Sequence, residues 1–163
     1  MFRFLLGIAV VVTFATCVLA QSEPPKGKVK ANTQFAAKIT KTIDAESSNV
    51  GEDVNFVLTN DVQGDGMTIP SGSEIYARIV KVKKLSGQNK NSMISIMFDF
   101  VQSGEDFMNC KALIIGIDQM ADVKMESSDT FEGGTILTLT GKNLKIDEGK
   151  IFQVKLIKDV SAN

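Results

Sequence analysis

Short runs in which apolar and polar residues alternate dominate the chain after residue 34. Residues 94–100, which read ISIMFDF, show the pattern with particular regularity. A period of two places every second side chain on one face of a β-strand, and clusters of Gly, Asn, Asp and Ser bound these runs as turns would. No stretch after residue 20 keeps an apolar i, i+3, i+4, i+7 pattern over three helical turns. The predicted fold class is therefore all-β.

The alternation also predicts which side chains face the core. Four runs each present one apolar face. The predicted inward residues are Phe35, Ala37, Ile39 and Ile43; Val54, Phe56 and Leu58; Ile94, Ile96, Phe98 and Phe100; and Met108, Cys110, Ala112 and Ile114.

Residues 69–81 and 146–158 resemble each other and align without a gap. Gly72 aligns with Gly149, and in both copies the apolar series is followed at once by a second apolar residue, Val80 or Ile157. Such a break in alternation predicts a β-bulge or a strand that switches sheets. A repeated turn and bent strand suits the closure of a small barrel or sandwich, here of about seven mostly antiparallel strands. Gly72 is expected to adopt a backbone conformation that other residues avoid.

Residues 1–20 have the three parts of a secretory signal peptide: a basic residue, Arg3, an apolar run from Leu5 to Val12, and a small-residue end at Ala20. We therefore expect an exported protein, either periplasmic or extracellular. A membrane anchor is the alternative, although the apolar run is shorter than the ~20 residues that a bilayer core requires. A second alternative is lipidation of Cys17, which would tether the chain to a membrane, but the preceding residues depart from the usual lipidation pattern.

After this leader, residues 21–33 are polar and contain a Pro-Pro pair, and they are predicted to form a flexible linker. Residues 34–163 then form a single β-domain, long enough to bury a core of its own. Once the leader is removed only Cys110 remains of the two cysteines, so no internal disulfide can form.

Composition excludes several classes of function. The chain has no histidine, and its 18 basic and 19 acidic residues leave a formal charge of -1. Without histidine, the commonest general base and the commonest metal ligand are missing. No basic cluster suggests nucleic acid. We expect no catalysis and no cofactor; the alternative is a carboxylate-based hydrolase, which would need two acidic side chains facing each other across a pocket.

Two segments contain candidate binding residues. In NDVQGDG, residues 60–66, Asp61 and Asp65 supply hard oxygen ligands of the kind that calcium prefers, while the alternative is a simple turn. The long connection from Asp118 to Gly134 is either a solvated flexible loop or a partner-binding segment. Its candidate contact residues are Met120, Met125, Asp122 and Glu126. The expected partner is an envelope protein or a small ligand, with neither identified.

Three segments carry a family resemblance: VGEDVNFVLTNDV, GMTIPSGSEIYARIVKV and SMISIMFDFVQSGED. Their succession of turn motifs resembles a small exported bacterial β-domain of unassigned function. More distantly, it is similar to the β-barrel domain of conjugation and type IV secretion outer-membrane scaffold proteins. The resemblance covers about residues 34–160 and implies fold more than function. It leaves two possibilities open: a ligand-binding module, or a soluble relative of the scaffold barrel that assembles through strand edges.

Overall fold

The computed structural model describes residues 27–162, which form β-strands joined by turns. Every strand pairing in this part of the chain is antiparallel. Across the same residues we find no helix with the length and apolar character that membrane crossing demands. The all-β prediction is confirmed. The predicted signal peptide, Cys17 and residues 21–26 of the predicted linker lie outside the described residues.

The strands follow each other along the described chain with short connections. They are β1 (Lys28–Val29), β2 (Gln34–Ile39), β3 (Ile43–Asp44), β4 (Asp53–Leu58), β5 (Val62–Gln63), β6 (Thr68–Ile69), β7 (Glu74–Lys83), β8 (Asn91–Ser103), β9 (Asp106–Asn109), β10 (Ala112–Ile117), β11 (Lys124–Ser127), β12 (Gly134–Thr140), β13 (Lys145–Ile146), β14 (Ile151–Leu156) and β15 (Val160–Ser161).

The main sheet has nine strands in the order β10-β14-β2-β4-β7-β8-β12-β11, with β9 also paired to β8. The remaining strands form three two-stranded pairs, β1 with β15, β13 with β3 and β5 with β6. The predicted number of about seven strands is therefore too low. Alternation identifies the long strands well. It does not reveal strands of only two residues, and it does not show that one long strand pairs with two different strands along the same edge.

Strand β8 closes the barrel because it changes partner along one edge. Residues 91–97 pair with β12, whereas residues 100–103 pair with β9. The chain continues from β9 into β10, which pairs with β14, and the order β14, β2, β4, β7 leads back to β8. Together with the β9–β10 connection, these pairings form a nearly closed antiparallel ring, to which β12 and β11 add a lateral extension.

Three phenylalanine rings occupy the centre of the core. Phe56 lies 5.3 Å from Phe98 and 5.1 Å from Phe152, measured between ring centroids, and all three side chains are fully buried. The inward face predicted for Val54, Phe56 and Leu58 is buried, as is the face predicted for Met108, Cys110, Ala112 and Ile114. Alternation therefore located most of the core correctly.

Phe100 is the exception, and its predicted inward position is wrong. Strand β8 pairs Phe98 with Ala77 and Phe100 with Tyr76, so Asp99 is an extra residue with no counterpart on β7. This β-bulge reverses the alternation beyond it. As a result Val101 is buried instead, while Phe100 lies on the outer surface of the barrel.

The bulge predicted after Ile79 is confirmed, because the register between β7 and β8 shifts between Ile79 and Lys81. The turn prediction is also confirmed: Gly72 has φ +87°, and its repeat partner Gly149 has φ +85°. Each of these glycines donates its N–H to the carbonyl of a β2 or β4 residue, Gly149 to Ile39 and Gly72 to Leu58, both at 2.9 Å. Only glycine adopts this backbone conformation without steric cost.

The β-domain begins earlier than the predicted boundary at residue 34. Lys28 and Val29 form β1, which pairs with β15, and the Val29 side chain is fully buried. Residue 28 also exchanges two backbone hydrogen bonds with Asp65, of 2.9 and 2.7 Å. A Cβ atom at Gly64 would lie 2.3 Å from the Lys28 carbonyl oxygen, so a glycine is needed there for this close approach. The polar composition of residues 21–33 gives no sign that Lys28 and Val29 pair with β15.

The strand junction between β10 and β12 depends on one side chain. The Ile114 N–H donates to Thr135 Oγ1 at 2.8 Å, and Thr135 is only 1% exposed. Because β10 is an end strand of the main sheet and pairs only with β14, this hydroxyl supplies a partner that a second neighbouring strand would otherwise provide.

We predict that Phe56→Ala destabilises the fold strongly, since it leaves a cavity between Phe98 and Phe152. The free energy of unfolding is expected to fall by about 3–5 kcal/mol in urea denaturation. Phe107→Ala serves as the control, because Phe107 is 50% exposed, and it should cost less than half as much. Equal losses in the two variants would contradict this location of the core.

We predict that Thr135→Val, which keeps the side-chain shape, leaves the buried Ile114 N–H without its acceptor. The free energy of unfolding is expected to fall by about 1–3 kcal/mol. Hydrogen exchange at the Ile114 amide should also become faster. Thr138→Val on the same strand is the matched control, and a loss no greater than that of the control would show that the hydroxyl does not stabilise the junction.

Candidate outer-face binding site

Three aromatic side chains from neighbouring strands meet on the outside of the barrel: Tyr76 of β7, Phe100 of β8 and Phe107 of β9. Tyr76 and Phe100 are stacked, with ring centroids 4.6 Å apart, and Phe107 approaches Phe100 edge-on at 5.4 Å. We call these three residues the outer aromatic face. Phe107 is 50% exposed, in contrast to the three fully buried core phenylalanines.

The strand register produces this grouping. Tyr76 lies directly opposite Phe100, and Gln102, two residues along β8, lies opposite Phe107. Because cross-strand and diagonal neighbours on one face of a sheet lie within side-chain contact, the three rings form a continuous aromatic surface. The Asp99 bulge is required for it, since without the extra residue Phe100 would point inward.

Polar groups hold the tyrosine ring in place. The Tyr76 hydroxyl lies 2.7 Å from Glu74 Oε2 and 2.9 Å from Gln102 Oε1. The Gln102 amide nitrogen in turn donates to the Gly104 carbonyl at 3.1 Å. The hydrogen bond to the Glu74 carboxylate, together with desolvation and the negative charge of Glu74, raises the pKa of Tyr76 above its ordinary value.

A groove of about 460 Å³ adjoins the outer aromatic face. Residues 70–74 line one side, and Gln102 and Gly104 line the other. Glu74 and Gln102 line the groove and also contact the Tyr76 hydroxyl, so the groove directly adjoins the aromatic rings. Asp61 supports the groove wall, because its carboxylate accepts the Ser71 N–H at 2.8 Å.

A second, apolar groove of about 360 Å³ lies elsewhere on the outer surface. Its lining includes Val50, Met97 and Phe131, and Val50 is 65% exposed. The only charged residue along it is Arg78, which forms an ion pair with Asp99 at 3.2 Å.

The two predicted calcium ligands, Asp61 and Asp65, bond to different partners in the structure. Asp61 accepts the Ser71 N–H, while Asp65 forms an ion pair with Lys30 at 2.8 Å. The Lys30 hydrogen bond and its positive charge hold the pKa of Asp65 below its ordinary value. Among residues 27–162 no group of three or more acidic or cysteine side chains is arranged to hold a metal ion.

The segment from Asp118 to Gly134 is partly a strand rather than wholly a loop. Met125 lies in β11 opposite Leu137, and Met120 and Met125 pack half-buried against the core. Asp122 forms an ion pair with Lys142 at 3.2 Å, and Glu126 is exposed on β11. Of the four candidate partner-binding residues, the two methionines thus pack against the core while the two acidic side chains are exposed, and their role in partner binding stays a prediction.

Cys110 lies between β9 and β10 and is only 1% exposed. Burial raises the pKa of its thiol to about 12. Since the thiolate is the reactive form, this side chain behaves as a small core residue rather than as a nucleophile. Its N–H donates to the Asp99 carbonyl at 3.0 Å and so helps to attach β9 to β8.

Sequence reasoning missed the outer aromatic face. The absence of tryptophan and the presence of a single tyrosine argue against an aromatic surface, and strict alternation places Phe100 inward. The signal that was present is Phe107, which alternation assigns to the face opposite Met108 and Cys110.

The ring of strands and its outer aromatic face define a small, nearly closed antiparallel barrel with an exposed aromatic surface. No family model matches the chain, and no curated protein matches it. Among solved structures it is similar to ComB10 of the Com type IV secretion system of Helicobacter pylori. That similarity has a TM-score of 0.48 and 12% sequence identity, over 82% of this chain and 88% of that chain. The chain is thus distantly similar to a type IV secretion protein, as its turn motifs predict, and the likeness concerns the fold alone.

We predict that Glu74→Gln lowers the pKa of Tyr76 toward its ordinary value, because the substitution weakens the hydrogen bond that the phenol donates and removes the negative charge that opposes its deprotonation. Tyr76 is the only tyrosine and the chain has no tryptophan, so an absorbance titration reports this group alone. Glu148→Gln, in the turn before β14, is the control and should leave the titration unchanged. An unaltered midpoint in Glu74→Gln would contradict the Tyr76–Glu74 contact.

Proposed function

We propose that this chain is an exported β-domain that acts by binding or structural association in the cell envelope, with the outer aromatic face as its contact surface. The single observation that carries the proposal is the position of Phe107, 50% exposed beside two further rings on rigid strands. Aromatic residues contribute most of the binding energy at many protein interfaces.

Export is part of the proposal and rests on the sequence of residues 1–20. A basic residue, an apolar run and a small-residue end are the features by which a secretory leader is recognised. Cleavage after Ala20 would make Gln21 the new amino terminus and would place the domain in the periplasm or outside the cell.

A contact through the β11 edge of the main sheet is less favoured than one through the outer aromatic face. In the part of the chain that the structure describes, β11 ends the main sheet, and its four residues include Lys124 and Glu126. Short edges with charged side chains disfavour pairing with another sheet. This observation argues against ring assembly through this edge as the mode of association.

The carboxylate-based hydrolase stays an alternative prediction. Such an enzyme needs two acidic side chains on opposite sides of the bound bond. In the described chain the larger groove is lined by one acidic residue, Glu74, whose carboxylate already accepts the Tyr76 hydroxyl. Binding is therefore the function we place first.

We expect the native protein to occur in envelope fractions as part of a complex larger than a monomer, by size-exclusion chromatography with light scattering. Intact mass should show a chain that begins at Gln21. Replacing Phe100 and Phe107 together by alanine should release the monomer, because the contact surface is lost. Ile115→Ala, at an outer position of β10 that is 43% exposed, is the control and should keep the complex. A wild-type monomer, or a complex that survives the double substitution, would refute this role.

A further inference from the structure

Three carboxylates lie near the end of the sheet that carries the outer aromatic face, and Glu74 contacts Tyr76 directly. Glu74 lies at its β7 side, and Glu105 and Asp106 lie in and after the turn that joins β8 to β9. All three side chains are exposed. The register brings them to the same end of the sheet, because Glu74 pairs with Gln102, and Ser103 pairs with Asp106.

No cation within residues 27–162 forms an ion pair with these carboxylates. Arg78, the next outward position on β7 after Tyr76, bonds to Asp99 instead. Lys111 also approaches Asp99, at 3.9 Å. Lys38 is separated from Glu74 in the sheet by Val57. Glu74 beside the rings and the two acids at the same end of the sheet therefore remain available to a cation from outside the described chain.

The surroundings of the tyrosine hydroxyl offer a further acceptor to a ligand. Its single proton lies between two acceptors, Glu74 Oε2 and Gln102 Oε1, and can be donated to only one of them at a time. One acceptor is thus left for an external donor. Lysine and arginine side chains are donors only, and their charge strengthens such hydrogen bonds.

We propose that the outer aromatic face binds a lysine- or arginine-bearing peptide segment of its partner, with the cation over the rings of Tyr76, Phe100 and Phe107. Aromatic faces attract cations within about 6 Å of the ring centre. The Glu74 carboxylate would pair with the bound charge, and the adjoining groove would hold the neighbouring peptide backbone. This inference rests on the proposed binding function and specifies the chemistry of the partner.

The charge of the site distinguishes this partner from others. An acidic peptide or a nucleic acid would meet Glu74, Glu105 and Asp106 with like charge, which costs free energy at an interface. An uncharged glycan could stack on the rings, but it would leave the three carboxylates without a counter-charge. A cationic peptide can form cation–π contacts with the rings and ion pairs with the carboxylates.

The test uses the fluorescence of Tyr76, which reports on the site directly because it is the only tyrosine in a chain without tryptophan. The full chain is titrated with a tyrosine-free oligo-arginine peptide, an oligo-glutamate peptide of equal length and an uncharged Gly-Ser peptide. We expect only the oligo-arginine peptide to change the signal and bind saturably. Isothermal titration calorimetry provides a second readout that is independent of the tyrosine.

Three variants decide whether binding occurs at this site. Glu74→Gln and Phe107→Leu should each weaken oligo-arginine binding by about two- to fivefold, the effect typical of an exposed charge pair or cation–π contact. Glu148→Gln removes an equal charge elsewhere and should leave binding unchanged. If Phe107→Leu unfolds, Glu74→Gln against Glu148→Gln still provides the comparison.

Each outcome has a distinct meaning. Equal weakening by Glu148→Gln would mean general electrostatic attraction and would overturn the proposal. Equal or tighter binding of the Gly-Ser or oligo-glutamate peptide would also overturn it. If no peptide binds while the envelope complex still depends on Phe100 and Phe107, the cationic partner is wrong but the binding function stands. If that complex is absent as well, both proposals fail.

Discussion

The extra residue Asp99 lies in β8 between the part that pairs with β12 and the part that pairs with β9. Its backbone has no partner on β7, and its carbonyl instead accepts the Cys110 N–H at 3.0 Å. Its side chain bonds to Arg78 of β7 and lies near Lys111, whose amino group also donates to the Phe98 carbonyl. The bulge residue therefore contacts β7 through its side chain and the β9–β10 connection through its carbonyl and side chain.

Closure of the ring and packing of the core are consequences of that junction. With β9 attached to the end of β8, the chain can continue as β10 and reach β14, which completes the barrel. Phe98, immediately before the bulge, remains inside against Phe56, whereas Phe100, immediately after it, lies outside against Tyr76. Asp99 thus separates the core aromatic residue of β8, Phe98, from its outer-face aromatic residue, Phe100.

Alternation and turn chemistry predicted the parts of the fold that depend on local sequence. The bulge after Ile79 was predictable because two apolar residues stand together where alternation requires a polar one, and Gly72 was predictable because the turn requires a positive φ. The bulge at Asp99 left no such signal, since an aspartate between two phenylalanines continues a regular pattern. The β1 contact was hidden for a related reason, because two residues that pair with the far end of the chain have no periodicity of their own.

The candidate site was less predictable than the fold, because the register of strand pairing brings its residues together and no local sequence motif does. Residues 76, 100 and 107 are far apart in sequence, and only the pairing of β7, β8 and β9 brings their rings together. Strands also hold these rings more firmly than a loop would, and Glu74 and Gln102 restrict the tyrosine further. Side chains that are already ordered lose little conformational entropy when a ligand binds. A few exposed rings on paired strands would therefore bind a partner at a small ordering cost, whereas the methionines of the Asp118 to Gly134 segment already pack against the core and are less open to a partner.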